Sequence, residues 1–156
     1  EQYEQVLYLD FDVICNKHEN FFKTFDLKNN LCIKVVNNIA QNDKQEEKIK
    51  LYQQLTNSDD VLYMNTGIIG GCKDIFNQIN YFDNIDYLIK QIKDQRWLNE
   101  PILCYKVIMN NVQYENIGSD KWHWTDRKRF EDKVFYHCCV KNYIRNYFDK
   151  FTDFGD

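Results

Sequence analysis

Apolar positions fall in short runs along this chain, separated by polar stretches. Residues 6–9, Val-Leu-Tyr-Leu, form a continuous apolar run closed by acids, which predicts a buried parallel strand. Residues 31–36 are apolar and β-branched and predict a second strand; residues 61–64, Val-Leu-Tyr-Met, predict a third. Between these, residues 19–25 suit a helical turn or two. Residues 43–55 are polar with Ile49, Leu51, Tyr52 and Leu55 on one side, the pattern of an exposed amphipathic helix. Helices are expected at 73–79, at 85–93 and over much of 95–110, with Pro101 near a helix start or at a kink. Residues 112–117, 121–125 and 133–138 read as strands. A last helix at 142–151 carries Tyr143, Ile144, Tyr147 and Phe148. Strands alternating with helices imply an α/β layer structure.

No repeat or linker interrupts the pattern, and 156 residues make one domain. The apolar fraction of 44%, with 16% aromatic, supplies a full core. A net charge of −4 with interspersed acids and bases gives no basic stripe, which argues against a nucleic-acid partner. No apolar run reaches the roughly 18 residues of a membrane-spanning helix. No Asn-x-Ser/Thr sequon occurs, which speaks against a heavily glycosylated luminal protein, although an upstream membrane anchor stays open. The six cysteines, at 15, 32, 72, 104, 138 and 139, form no CxxC pair. Buried free thiols are therefore expected rather than a structural zinc site.

Four segments carry candidate chemistry. Asp10-Phe11-Asp12 follows the first apolar run. Residues i and i+2 of an extended chain point the same way, so both carboxylates can face one hard cation at a sheet edge. The same pair also suits an ordinary solvated strand end. Residues 63–71, Tyr-Met-Asn-Thr-Gly-Ile-Ile-Gly-Gly, hold three of the chain's five glycines. They suggest a strand ending in a turn, either a plain one or one that lets backbone approach a ligand. No Gly-Lys-Ser/Thr follows, so this is not a phosphate-binding P-loop. Asp94-Gln95 precedes a helix, where Asp94 can serve as a cap or face a ligand. His137 ends the run Phe135-Tyr136-His137 and offers an imidazole to a transition-type cation or to the core. Lys141, close behind it, can neutralise a phosphate or simply face water. Trp122-His123-Trp124 reads as a strand with an aromatic face that packs in the core.

In this order the segments resemble the GT-A glycosyltransferases, in particular the glycogenin-like and lipooligosaccharide-galactosyltransferase group. That pattern runs from an apolar strand ending in Asp-x-Asp, through an Asn-x-Gly segment and an Asp-Gln pair with a later Asn, to a strand ending in a metal-binding His. Here these are Asp10 and Asp12, Asn65 and Gly67, Asp94 and Gln95 with Asn99, and His137. The resemblance implies a GT-A-like mixed sheet flanked by helices. It also implies a hexosyl transfer from a nucleotide-sugar, with UDP as the expected nucleotide, to a carbohydrate, protein or lipid acceptor. Asp10, Asp12 and His137 would hold Mn²⁺ or Mg²⁺ on the diphosphate, with Asp10 also near the ribose or donor sugar. Asn65, Thr66 and Gly67 would shape the donor and acceptor pocket, with Lys141 at the phosphates. Asp94 and Gln95 would stand at the anomeric side as the catalytic pair.

Two features depart from the pattern. Cys138, Cys139, Val140 and Lys141 follow the histidine where the family often continues with Gly and then Lys-Pro-Trp. The nucleotide-binding βαβ units normally precede the Asp-x-Asp strand, and nine residues precede Asp10 here, so the chain is expected to cover the C-terminal portion of the fold. Two other readings start from the same residues. One is a haloacid-dehalogenase-like phosphatase with Asp10 as nucleophile and Asp12 as acid/base, although Val13-Ile14 fits that motif poorly. The other is a non-catalytic glycosyltransferase-like domain that binds a sugar or a partner.

Overall fold

The computed structural model describes residues 3–35, 49–50, 53, 55, 57, 63–91, 99–118, 122–124 and 134–137. Among these the fold is mixed α/β, with two small sheets and helices packed against the larger one. The first sheet has the order β1-β4-β3-β5, formed by β1 (Gln5–Leu9), β4 (Met64–Cys72), β3 (Leu31–Val35) and β5 (Tyr114–Asn116). The second has the order β2-β7-β6, formed by β2 (Val13–Cys15), β7 (Phe135–His137) and β6 (His123–Trp124). Four helices complete the described elements: α1 (Phe21–Thr24), α2 (Lys73–Ile79), α3 (Ile85–Gln91) and α4 (Asn99–Met109). Ile49, Lys50, Gln53 and Leu55 are helical as well, on the segment expected to be an amphipathic helix. The expected helix at 142–151 lies outside the described residues.

The alternation of side chains along the central strands divides the interior into two layers. Leu31 and Ile33 face one side of β3 and join Met64 of β4, Ile75 and Ile79 of α2, and Leu103 and Val107 of α4. Cys32 and Ile68 face the other side and join Phe21, Leu27, Trp122 and Phe135. Phe21 and Trp122 meet edge to face with ring centroids 5.6 Å apart, a favoured aromatic geometry. Trp122 thus packs in the core, as its aromatic neighbourhood in the sequence suggests.

Helix ends follow local chemistry. Asn20 caps α1, its side-chain oxygen accepting from the Lys23 N–H at 3.1 Å. α2 ends on Asn80 in the left-handed conformation, with φ of 47°. Asparagine tolerates that region better than most residues. Pro101 lies in the first turn of α4, where its missing N–H costs no helical bond.

Two expectations are corrected. Residues 6–9 do not form a buried parallel strand. β1 pairs antiparallel with β4, from Gln5↔Cys72 to Leu9↔Ile68, and lies at the end of its sheet. Val6, Tyr8 and Leu9 are accordingly exposed, while Leu7 packs into the core. An unbroken apolar run does not by itself distinguish a central strand from one with a partly solvated face. Nor do the glycines of residues 67–71 form a turn. β4 runs through them without ending, so their role is spatial. A Cβ on Gly70 would stand 2.9 Å from the Phe21 ring, and one on Gly71 would stand 3.3 Å from the Phe76 ring. Glycine here admits aromatic side chains close to the strand.

The described cysteines are free thiols. Cys32, Cys72 and Cys104 are buried as expected, whereas Cys15 is exposed. Burial pushes the Cys32 and Cys104 thiols up to about 12, with the Glu115 and Glu100 carboxylates adding to the effect. Only thiolates react with alkylating agents. Iodoacetamide at pH 8 is therefore expected to label Cys15 in the native protein. Cys32 and Cys104 should react at least about 100-fold more slowly until denaturant is added, as read by peptide mass spectrometry.

Candidate metal centre

The turn between β1 and β2 carries Asp10, Phe11 and Asp12 from one sheet to the other. The Asp10 N–H donates to the Gly67 carbonyl at 2.9 Å, and the Val13 N–H donates to the Asp10 carbonyl at 3.0 Å. This tight turn leaves Phe11 at its tip, 95% exposed. β2 then pairs antiparallel with β7, and the register Val13↔His137 sets the imidazole beside the turn. Two segments far apart in sequence are thereby brought together.

Asp10, Asp12 and His137 each offer one ligand atom, and these atoms all lie within 4.8 Å of one another. His137 is buried and Asp12 is largely so. Asp12 Oδ1 stands 3.2 Å from His137 Nε2. The pair lacks the alignment of a hydrogen bond, and Asp12 Oδ1 is a buried oxygen without a hydrogen-bond partner. Such an atom ordinarily costs about 1–3 kcal/mol. The spacing has a ready explanation: ligand atoms bound at right angles to one ion, each at about 2.1 Å, stand about 3 Å apart. The donor set of two carboxylates and one imidazole suits Mn²⁺, and Mg²⁺ less closely because it prefers oxygen.

Tyr8 completes the arrangement and was not singled out by the sequence. It shares a strand face with Asp10, and its hydroxyl donates to Asp10 Oδ1 at 2.5 Å. That hydrogen bond raises the phenol above its ordinary pKa, with burial and the Asp10 and Asp12 charges adding to the shift. Tyr8 therefore keeps its proton and fixes one Asp10 oxygen. The two-residue spacing was the available signal.

Gly67 forms the floor under His137. A Cβ at this position would lie 2.2 Å from His137 Cε1 and 2.3 Å from Nδ1, well inside any tolerable contact. Asn65 turns its side chain inward. Its Oδ1 accepts from the Gly67 N–H at 3.1 Å and its Nδ2 donates to Glu100 Oε1 at 3.4 Å.

A cavity of about 720 Å³ opens on the helix side of the β1–β4 pair, and Asp10 belongs to its lining as well as to the cluster. The rings of Tyr8, Phe76, Tyr81 and Phe82 supply its aromatic walls. Thr66, Asn77, Asn80 and Asn99 supply neutral polar groups. The wall at Tyr81 and Phe82 is braced from α4. Buried Lys106 donates to the Asp83 carbonyl at 2.5 Å and pairs with the Asp83 carboxylate at 3.7 Å. Among the described residues the lining has one charge, that of Asp10.

No family profile, curated protein or solved structure matches the chain. The site must therefore be read from its own chemistry. Of the residues singled out in the sequence, Asp10, Asp12 and His137 come together, Gly67 touches them, and Thr66 and Asn99 line the adjoining cavity. Asp94, Gln95 and Lys141 lie outside the described residues.

Proposed function

We propose that this chain is the metal-binding and catalytic part of a nucleotide-sugar-dependent glycosyltransferase of the GT-A type. The observation that carries the reading is the buried Asp12 oxygen, without a hydrogen bond, beside His137 and Asp10, next to an aromatic-walled cavity that Asp10 also lines. A cluster of this composition, held by Asp10, Asp12 and His137, suits Mn²⁺ or Mg²⁺. Bound there, the ion would offset the negative charge that develops on a departing nucleoside diphosphate.

The residues divide the donor into two parts. A diphosphate has no cationic side chain to meet among the described lining residues of the cavity, and the Asp10 carboxylate repels it there. Its place is the cluster, on the ion. The cavity suits the uncharged sugar, whose faces can stack on the Tyr8 and Tyr81 rings and whose hydroxyls can bond Asn77, Asn80 or Asn99. Tyr8 holds the Asp10 carboxylate at the boundary of the two parts, so that its orientation is set before the donor arrives. Asp94 and Gln95 are assigned to the anomeric side by the resemblance alone.

The phosphatase reading draws less support. It needs Asp10 as an unencumbered nucleophile, whereas one Asp10 oxygen accepts the Tyr8 hydroxyl proton, and the third member of the cluster is an imidazole.

The test is thermal stabilisation by Mn²⁺ with UDP, followed by UDP release from a panel of UDP-sugars. Ligand that binds only the native state at 100 times its Kd stabilises by about 2.7 kcal/mol. The expected result is a rise in melting temperature that requires Mn²⁺ and UDP together and exceeds that from Mn²⁺ alone. Stabilisation by Mn²⁺ without any further effect of a nucleoside diphosphate would sink the transferase reading and leave a metal-binding domain.

A further inference from the structure

The pairing of β3 with β4 is interrupted beside the metal centre. Ile33 is opposite Ile69, yet the next residue, Lys34, is opposite Asn65. Thr66, Gly67 and Ile68 therefore bulge out of register with β3, while Ile68 keeps its pairing with Leu9 of β1. Bulges commonly re-aim backbone next to functional sites. Here the displaced segment reaches the cluster, since the Gly67 carbonyl accepts the Asp10 N–H and the Gly67 Cα underlies the His137 ring.

A bulged peptide group loses its ladder partner and needs another. The Gly67 N–H finds it in Asn65 Oδ1 at 3.1 Å. The Asn65 amide is in turn oriented by Glu100, whose Oε1 accepts from Asn65 Nδ2 at 3.4 Å while Oε2 accepts the Tyr63 hydroxyl. Glu100 stands in the first turn of α4, anchored by its buried neighbours Ile102, Leu103 and Cys104. Unlike the adjacent Asn99, it does not line the cavity. Its carboxylate is thus engaged with the backbone support of the cluster rather than with the space where a ligand would sit.

We propose that Glu100 is a positioning residue for the Asp10–Asp12–His137 cluster, acting through the Asn65 side chain and the Gly67 peptide group. The consequence for metal affinity rests on the reading of that cluster as a cation site; the hydrogen-bond relay itself does not. An ionised carboxylate accepts from both Tyr63 and Asn65, and bonds to an ionised acceptor are the stronger kind. A glutamine of the same shape would turn an N–H toward one of the two donors.

Two measurements on Glu100→Gln, Asn65→Ala and the double variant test the relay. The first is amide hydrogen exchange in metal-free protein. The Asp10 and Gly67 amides are expected to exchange about tenfold faster in either single variant, while the Leu7 and Leu9 amides of β1 keep their rates. The second is Mn²⁺ binding by calorimetry, expected to weaken about tenfold in either single variant, as is usual when support behind a metal ligand is lost. Because both residues act along one path, the double variant should add less than twofold to either single one. Unchanged exchange at Asp10 and Gly67 in Glu100→Gln would overturn the proposal, as would full additivity in the double variant. If exchange responds as expected but the wild-type protein binds no Mn²⁺, the relay stands and the cation reading of the cluster falls.

Discussion

Asp12→Ala is expected to abolish Mn²⁺ binding, with a loss of at least about 100-fold in affinity, and to leave the metal-free protein as stable as before or more stable. The two halves of this result have one cause. In the metal-free fold Asp12 Oδ1 is buried without a hydrogen bond, so its removal relieves a desolvation cost of about 1–3 kcal/mol rather than breaking a hydrogen bond. Among the described residues, the ion-pair contact it stands to lose is with His137 at 3.2 Å. Differential scanning calorimetry with and without Mn²⁺ reads both halves. The wild type should gain stability from the ion, and the variant should show none of that gain. A variant that melts several degrees lower without metal would mean that Asp12 is a structural ion-pair partner and not a ligand held in wait. Residues that bind ligands are commonly placed at some cost to stability, and removing them then stabilises the unliganded fold.

The sequence made parts of this arrangement legible. Two carboxylates one residue apart after an apolar strand, and a histidine at the end of another, are visible as candidates because strand ends and two-residue spacing are local properties, but only the family resemblance joins the three into one set. What brings them together is not local. The pairing of β2 with β7 that sets Val13 opposite His137 joins segments whose register no single-chain pattern specifies. The direction of β1 is hidden in the sequence for a related reason. An apolar tetrapeptide is the same text in a parallel or an antiparallel sheet, and its place at the sheet's end depends on which strands lie beside it. Of the two roles the sequence leaves open for the glycines of β4, a turn or a close approach, the structure shows a close approach, of side chains to the strand. Neither Gly67 nor Gly70 serves a turn; each leaves room for a side chain that arrives from elsewhere, His137 and Phe21 respectively. Nothing local marks Glu100 in the sequence, since its link to Asn65 spans 35 positions.

Gly67→Ala should be the most damaging single-methyl substitution near the site. The added carbon would stand 2.2 Å from His137 Cε1 and 2.3 Å from Nδ1, so either the ring or the bulged strand must move. Overpacking of this kind ordinarily costs about 1–3 kcal/mol. The ring's room to yield is limited, because His137 is buried and its backbone is fixed by pairing with Val13. Displacing the imidazole also removes it from the position facing Asp12. Mn²⁺ affinity is therefore expected to fall by at least about 100-fold, beyond the usual effect of lost outer-shell support, since a ligand itself is moved. The double variant Gly67→Ala/His137→Ala separates the two losses. Truncating the ring frees the space that the new methyl needs, so the double variant should be more stable than Gly67→Ala alone, a strong non-additivity between touching residues. Metal binding should not return, because the ligand is gone. Denaturant melts and Mn²⁺ titrations of the four proteins complete the cycle. Additive stabilities would show that the strand, not the imidazole, absorbs the methyl, and that Gly67 does not set the position of His137.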